Sequence, residues 1–181
     1  MDNLKNKERK IIITGLDEIN KFDVVDTLLK LDNSFMYAPI FTTDKSVIND
    51  KYYYLDTKRA NLSYKNNAVF YIFTEQYNSH GVTLEDFIKN NVIIANIREY
   101  NNISDKFFNN YDILTVWIDS KFICLSALNN YKYELKFLID RINEHKYLYF
   151  TNNNPMNIAK TIISYWYADE DNKRKILDEN S

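Results

Sequence analysis

Ile11-Ile12-Ile13-Thr14-Gly15-Leu16-Asp17-Glu18-Ile19-Asn20-Lys21-Phe22 opens on a continuous β-branched run, the pattern of a strand buried on both faces of a parallel sheet. Gly15 ends the run, and from Asp23 to Leu31 the residues Val24, Val25, Leu28 and Leu29 recur at helical spacing. The first unit is therefore strand, loop, helix. The same kind of buried strand is expected at Val92–Ile97, at Ile113–Ile118 and at Tyr147–Phe150. Helices are expected from Thr83, from Ser104 to Phe108, in a further region capped by Ser120, from Tyr133 to Glu144, and from Pro155 through Trp166. Four buried strands alternating with helices predict a three-layer α/β domain with a parallel sheet and right-handed crossovers. Between them, Phe35–Phe41, Tyr52–Leu55 and Ala68–Phe73 read as aromatic strands of a small, mostly antiparallel inserted lobe, with a polar stretch from Asp56 to Asn67. The expected organisation is a single domain over 1–168, with its core in 10–34 and 83–168 and the lobe in 35–82. A charged tail follows over 169–181, read as a frayed helix or disordered because Ile176 and Leu177 are its apolar pair.

Composition narrows the function classes. The 181 residues carry 2 Gly and 2 Pro, where average usage predicts about thirteen and nine. Asparagine, at 25, fills part of the deficit and is expected at most turns. A phosphate loop built from several glycines is excluded, and each glycine present is expected to have a specific structural use. Net charge is -2, so bulk charge gives no footprint for nucleic acid. The single cysteine, Cys124, sits in an apolar run and makes no internal disulfide, which fits a reducing compartment. No apolar leader and no membrane-length apolar stretch is present, and the expected location is cytoplasmic. The Asn, Lys, Ile and Tyr bias points to an AT-rich genome, such as that of a virus, phage, protist or low-GC bacterium; for a virus the location becomes the host cytoplasm.

A strand, a loop beginning with Gly and a helix make the setting in which a phosphate loop has meaning. Against G-x-x-x-x-G-K-[ST], Gly15 and Lys21 match, Asn20 stands for the second Gly and Phe22 for Ser/Thr. Asn tolerates positive φ, so Asn20 keeps the turn at a cost of about 1 kcal/mol. Phe22 has no oxygen for Mg²⁺. Asp17 and Glu18 set two negative charges where β- and γ-phosphates would lie, each opposing pair costing on the order of a few kcal/mol at intermediate dielectric.

The order of elements from Ile11 to Tyr165 resembles guanylate kinase, a nucleoside-monophosphate kinase of the P-loop class. Ile11 through Lys21 resembles its ATP loop; Phe41-Thr42-Thr43 and Lys51 to Leu55 resemble its GMP-binding lobe; Asn78-Ser79-His80-Gly81-Val82 resembles its Asn-Tyr-Tyr-Gly-Thr turn. Lys146 to Asn154 and the helix from Pro155 resemble its closing strand, turn and last helix. Thymidylate kinase is a weaker likeness, through Gly15-Leu16-Asp17 and Arg98. The resemblance implies a three-layer P-loop sheet with an inserted nucleotide lobe, and phosphate or nucleotide contacts at Gly15, Asn20, Lys21, Thr42, Thr43, Tyr52, Arg59, Glu75, His80 and Gly81.

The family's working residues carry over incompletely. Asp44 and Lys45 stand after Thr43, where its phosphate-clamping arginine would be, and Arg59 is the nearest arginine. Its base-recognising glutamate falls on Thr74, with Glu75 one residue on and on the opposite strand face unless a bulge intervenes. Its lid carries several arginines, whereas Arg141 alone lies between Ser120 and His145. Loss of one such cation costs about 10³-fold in rate or more. The expected function is a catalytically degenerate guanylate-kinase-like binding or regulatory module, holding a protein partner or a nucleotide in its cleft, with no cofactor, no metal and no membrane contact. One alternative is an active kinase on ATP and Mg²⁺, in which Lys21 meets the β/γ-phosphates, Asp119 helps hold the metal, Tyr52 and Arg59 hold the acceptor phosphate and Arg141 acts from the lid. Another is a self-associating structural protein that dimerises through the aromatic C-terminal helix around Tyr165-Trp166-Tyr167.

Overall fold

The structure, a computed structural model, describes residues 7–15, 21–75, 77–119, 136, 140, 145–151 and 154–180. At its centre lies β1 (Arg9–Gly15), in which Ile11, Ile12 and Ile13 are all fully buried. Successive strand residues point to opposite faces, so complete burial of three in a row means that both faces of the sheet are covered. The β-branched run is the sequence cause of this central position. β1 pairs in parallel with β6 (Val92–Ile94) on one side and β7 (Asp112–Ile118) on the other. β7 carries β8 (Tyr147–Phe150), also parallel, giving the order β6-β1-β7-β8. This is the expected parallel α/β sheet flanked by helices.

Helix α1 (Lys21–Leu31) follows the loop after β1 and packs on α6 (Pro155–Tyr167), which begins at a proline in its first turn and is capped by Asn154. α4 (Ile97–Asn101) lies against β1 and α5 (Asp105–Asn110) against β7. The Tyr100 and Thr115 hydroxyls, both buried, satisfy one another at 3.0 Å.

Between α1 and α3 (Leu84–Lys89) stands a second sheet, made of β2 (Ile40–Thr42), β3 (Tyr52–Tyr54), β4 (Val69–Glu75) and β5 (Asn78–Thr83) in the order β3-β2-β5-β4. The β2/β5 and β4/β5 pairs are antiparallel and β2/β3 is parallel, so the inserted lobe is mixed. Pro39 delays the second strand to Ile40, upstream of which Tyr37 makes a single bridge to Val92 of the central sheet.

Several local expectations change. The polar stretch after β3 is a helix, α2 (Thr57–Lys65), with the Asp56 carboxylate accepting from the Arg59 N–H at 3.0 Å. The strand expected to reach Ile97 stops at Ile94, because Asn96 and Glu99 form a reciprocal capping box that starts α4. The tail is ordered as α7 (Glu170–Glu179): Ile176 and Leu177 pack on the core, and the Asn180 carbonyl accepts from Tyr149 N–H at 2.6 Å on the edge strand β8. Asparagine serves helix starts at Asn96 and Asn154 more than left-handed turns; Asn67, at φ 53, is the described non-glycine residue with positive φ. The Ser120 cap, most of the 133–144 helix and Cys124 lie outside the described residues, within which Lys136 and Asp140 are helical. Among the described residues no helix is long and apolar enough to cross a membrane.

Candidate functional site

The carboxyl end of β1 and the start of α1 lie beside β3 of the lobe, through Lys21 with Gly15 and Phe22 with Tyr52, and several of the candidate residues fall there. Gly15 closes β1 at φ +155, and a Cβ there would lie 2.3 Å from the Ile118 carbonyl oxygen of β7. Its absence of a side chain is required by that backbone approach. Just before it, the Thr14 hydroxyl is fully buried with no hydrogen-bond partner among the described residues. Lys21 begins α1 with its side chain folded inward, 7% exposed, and its ammonium 3.5 Å from the Gly15 carbonyl oxygen. A buried cation at the amino end of an 11-residue helix adds its charge to the positive end of the helix dipole.

Phe22 has a different occupation. Its ring meets Tyr52 of β3 at 5.9 Å and Tyr37 at 6.1 Å, both edge-on. The Lys51 ammonium lies over the Phe22 and Tyr37 rings and pairs with Asp26 of α1. The lobe is thus pinned to α1 by an aromatic cluster and an ion pair. The Tyr37 hydroxyl is buried without a hydrogen-bond partner among the described residues, and burial pushes its pKa far above the usual tyrosine value.

Thr42 ends β2 and Thr43 follows it. The Thr42 hydroxyl accepts from Asp44 N–H at 3.1 Å, and the Thr43 hydroxyl accepts from Ser79 N–H at 2.8 Å. Asp44 caps the short 3-10 turn Lys45–Val47 by accepting from Ser46 N–H and Oγ, which hold its carboxyl below the usual range. Opposite Thr42 in the ladder lies His80 of β5, whose Nε2 is 2.5 Å from Glu99 Oε1. Glu99 is 5% exposed, and its other oxygen accepts from Asn96 N–H at 2.7 Å. His80, expected at a turn, is therefore strand-borne and joins the lobe to α4. Tyr71 makes a similar tie, donating to the Ile94 carbonyl at 2.8 Å, with its pKa raised by burial and by the nearby Glu99 charge.

Gly81, also expected at a turn, is in the middle of β5. A Cβ there would fall 2.3 Å from the Tyr71 carbonyl oxygen beside the register shift between Val69 and Tyr71. That shift lies upstream of Thr74 and Glu75. Thr74 faces Ser79 at 2.9 Å, while Glu75 is exposed opposite Asn78 at the end of the hairpin. Arg59 projects from α2 with its side chain 78% exposed, 3.3 Å from Asp56. Asp119, after β7, accepts from the Tyr149 hydroxyl at 2.9 Å. Asn20 and Arg141, with Asp17 and Glu18, lie outside the described residues.

The fold thus brings Lys21 to Gly15 and Tyr52 to Phe22, and sets Thr42, His80 and Gly81 on adjoining strands with Thr43 just after β2. Glu75, Arg59 and Asp119 occupy the hairpin end, the outside of α2 and the β7 terminus. Of the C-terminal aromatics, Tyr165 is buried, Trp166 packs on Phe35 at 5.2 Å, and Tyr167 is exposed while donating to Asp32 at 2.7 Å. Sequence reasoning passed over Glu99, Tyr37 and Lys51. The signal for Glu99 was present in the Asn96-x-x-Glu99 spacing. Among the described residues, no group of three His, Cys, Asp or Glu side chains is placed to hold a metal ion.

No protein-family model and no curated protein matches the chain. Among solved structures it is similar to a guanylate kinase from Anaplasma phagocytophilum, with a TM-score of 0.56 and 14% identity over 87% of this chain and 84% of that one. The fold is guanylate-kinase-like.

Proposed function

We propose that the chain is a binding module on a guanylate-kinase-like frame, taking a phosphorylated or acidic ligand, either a nucleotide or a modified protein partner, into the cleft between β1 and the lobe without phosphoryl transfer. The observation that carries this reading is the position of Phe22. A metal-dependent kinase needs an oxygen at this point of the first helical turn to help hold Mg²⁺. Here the residue is a ring packed edge-on against Tyr52 and Tyr37 of the lobe. The first turn of α1 thus lacks the side-chain oxygen through which magnesium-bound ATP would be held there, which favours binding without transfer.

Anion binding has separate support. Lys21 is buried at the start of α1 and the orphaned Thr14 hydroxyl lies at the neighbouring strand end. A cation and a helix amino terminus together attract phosphate or carboxylate without needing the metal. The test is calorimetric titration with guanosine monophosphate, adenosine triphosphate without metal, and a phosphoserine peptide. Binding of one of them that falls at least about tenfold in Lys21→Ala, as expected for loss of a charge-assisted contact, supports the reading. No heat with any of the three, or binding indifferent to Lys21→Ala, overturns it.

A further inference from the structure

The lobe has a second concavity, on the face of β3 turned away from α1. Strand alternation separates the two: Tyr52 meets Phe22, while Tyr53 points the other way and donates to Asp86 Oδ2 of α3 at 2.9 Å. The cavity holds about 700 Å³, within the roughly 300–1,000 Å³ usual for small-molecule sites. Leu55, Ala68, Leu84 and Ile88 supply its apolar wall.

Its polar side is organised around one carboxylate. Asp86 Oδ2 accepts from both Tyr53 and Thr83, the latter at 2.6 Å, which fixes the side chain. Asp86 Oδ1 accepts no hydrogen bond among the described residues. The other two charges of the lining, Glu85 and Lys89, pair with each other at 2.5 Å. The Lys89 charge also feels Asp86, and the lining as a whole keeps one net negative charge. An apolar wall beside one held carboxylate with an open acceptor selects a hydrogen-bond-donating cation carrying an apolar body, and it repels an anion of the same shape.

We propose that this pocket binds a small organic cation, a protonated amine on an aromatic or aliphatic body, with the ammonium on Asp86 Oδ1 and the body against Leu55, Leu84 and Ile88. The site is separate from the cleft and its chemistry is of opposite sign, so it stands or falls apart from the function proposed above. Its probes are tryptamine, indole-3-acetate and indole, titrated calorimetrically into the full chain. The expected result is saturable tryptamine binding at least about tenfold tighter than either analogue. Asp86→Asn should bring tryptamine down to the level of indole. Ala68→Trp, which fills the cavity, should abolish binding of all three probes, and it keeps the test decisive if Asp86→Asn fails to fold. Indole-3-acetate binding as tightly as tryptamine, unchanged affinity in a folded Asp86→Asn or Ala68→Trp variant, no tryptamine binding at all, or competition by guanosine monophosphate would overturn the proposal.

Discussion

Two glycines in 181 residues are both placed by steric need, and neither by a turn. Gly15 lets β1 close on β7 and Gly81 lets β5 close on β4; in each case an added methyl would sit 2.3 Å from a carbonyl oxygen. Gly15→Ala and Gly81→Ala are each expected to cost on the order of 2–4 kcal/mol of stability, read as a lowered urea midpoint. Changes within about 0.5 kcal/mol, the size of an ordinary surface substitution, would contradict these backbone approaches. The scarcity of glycine marked both positions in the sequence, but the reason for them was out of reach, because Gly15 meets a strand distant in the chain and Gly81 meets its hairpin partner at a register shift that the sequence does not reveal. Phe22 was legible as a missing hydroxyl for the same reason that its ring contacts were not: residue type is local, whereas Tyr37 and Tyr52 arrive through the fold.

The elements divide along similar lines. β1, β7, β8, α1 and α6 follow from hydrophobic runs, helical spacing and a proline at a helix start, signals contained within each segment. α2 and α4 announce themselves through caps at Asp56 and Asn96, which the apolar pattern around them masks; the residues before Ile97 read as one strand until the capping box is recognised. α7 has few apolar residues and owes its order to tertiary contacts: Lys173 is 4% exposed over the Tyr165 ring, and Asn180 covers the edge of β8. Truncation after Ala168 is expected to uncover Tyr165 and leave the β8 edge open. A lower thermal midpoint together with larger species in light scattering should follow, since an open strand edge is a template for association. An unchanged midpoint and a truncated chain of unchanged size would show that α7 contributes nothing to the body.

At the scale of the whole molecule, buried and half-buried phenols link stability to alkaline pH. Burial, joined by the hydrogen bond to Asp119, raises Tyr149 to about 12, and burial likewise raises Tyr165 to about 12; Tyr37, Tyr53 and Tyr71 are raised in the same direction, also chiefly by burial. An unfolded tyrosine ionises near pH 10, so above that pH the folded chain holds protons that the unfolded chain has lost. The stabilisation is complete below about pH 10 and declines as pH climbs through the folded values. Urea midpoints should fall between about pH 10 and 12, less steeply in Tyr149→Phe; a flat profile would contradict the burial of these rings. The ties between lobe and core, through Lys51, His80 and Tyr71, join partners far apart in the sequence. Element order made the frame readable, whereas these ties between lobe and core were not, because each joins two separate elements. The most direct test is a coupled assay of phosphoryl transfer from ATP with Mg²⁺ to each of the common ribo- and deoxyribonucleoside monophosphates. No turnover above the protein-free control is predicted; turnover that disappears in Lys21→Ala would show a working kinase and contradict the account.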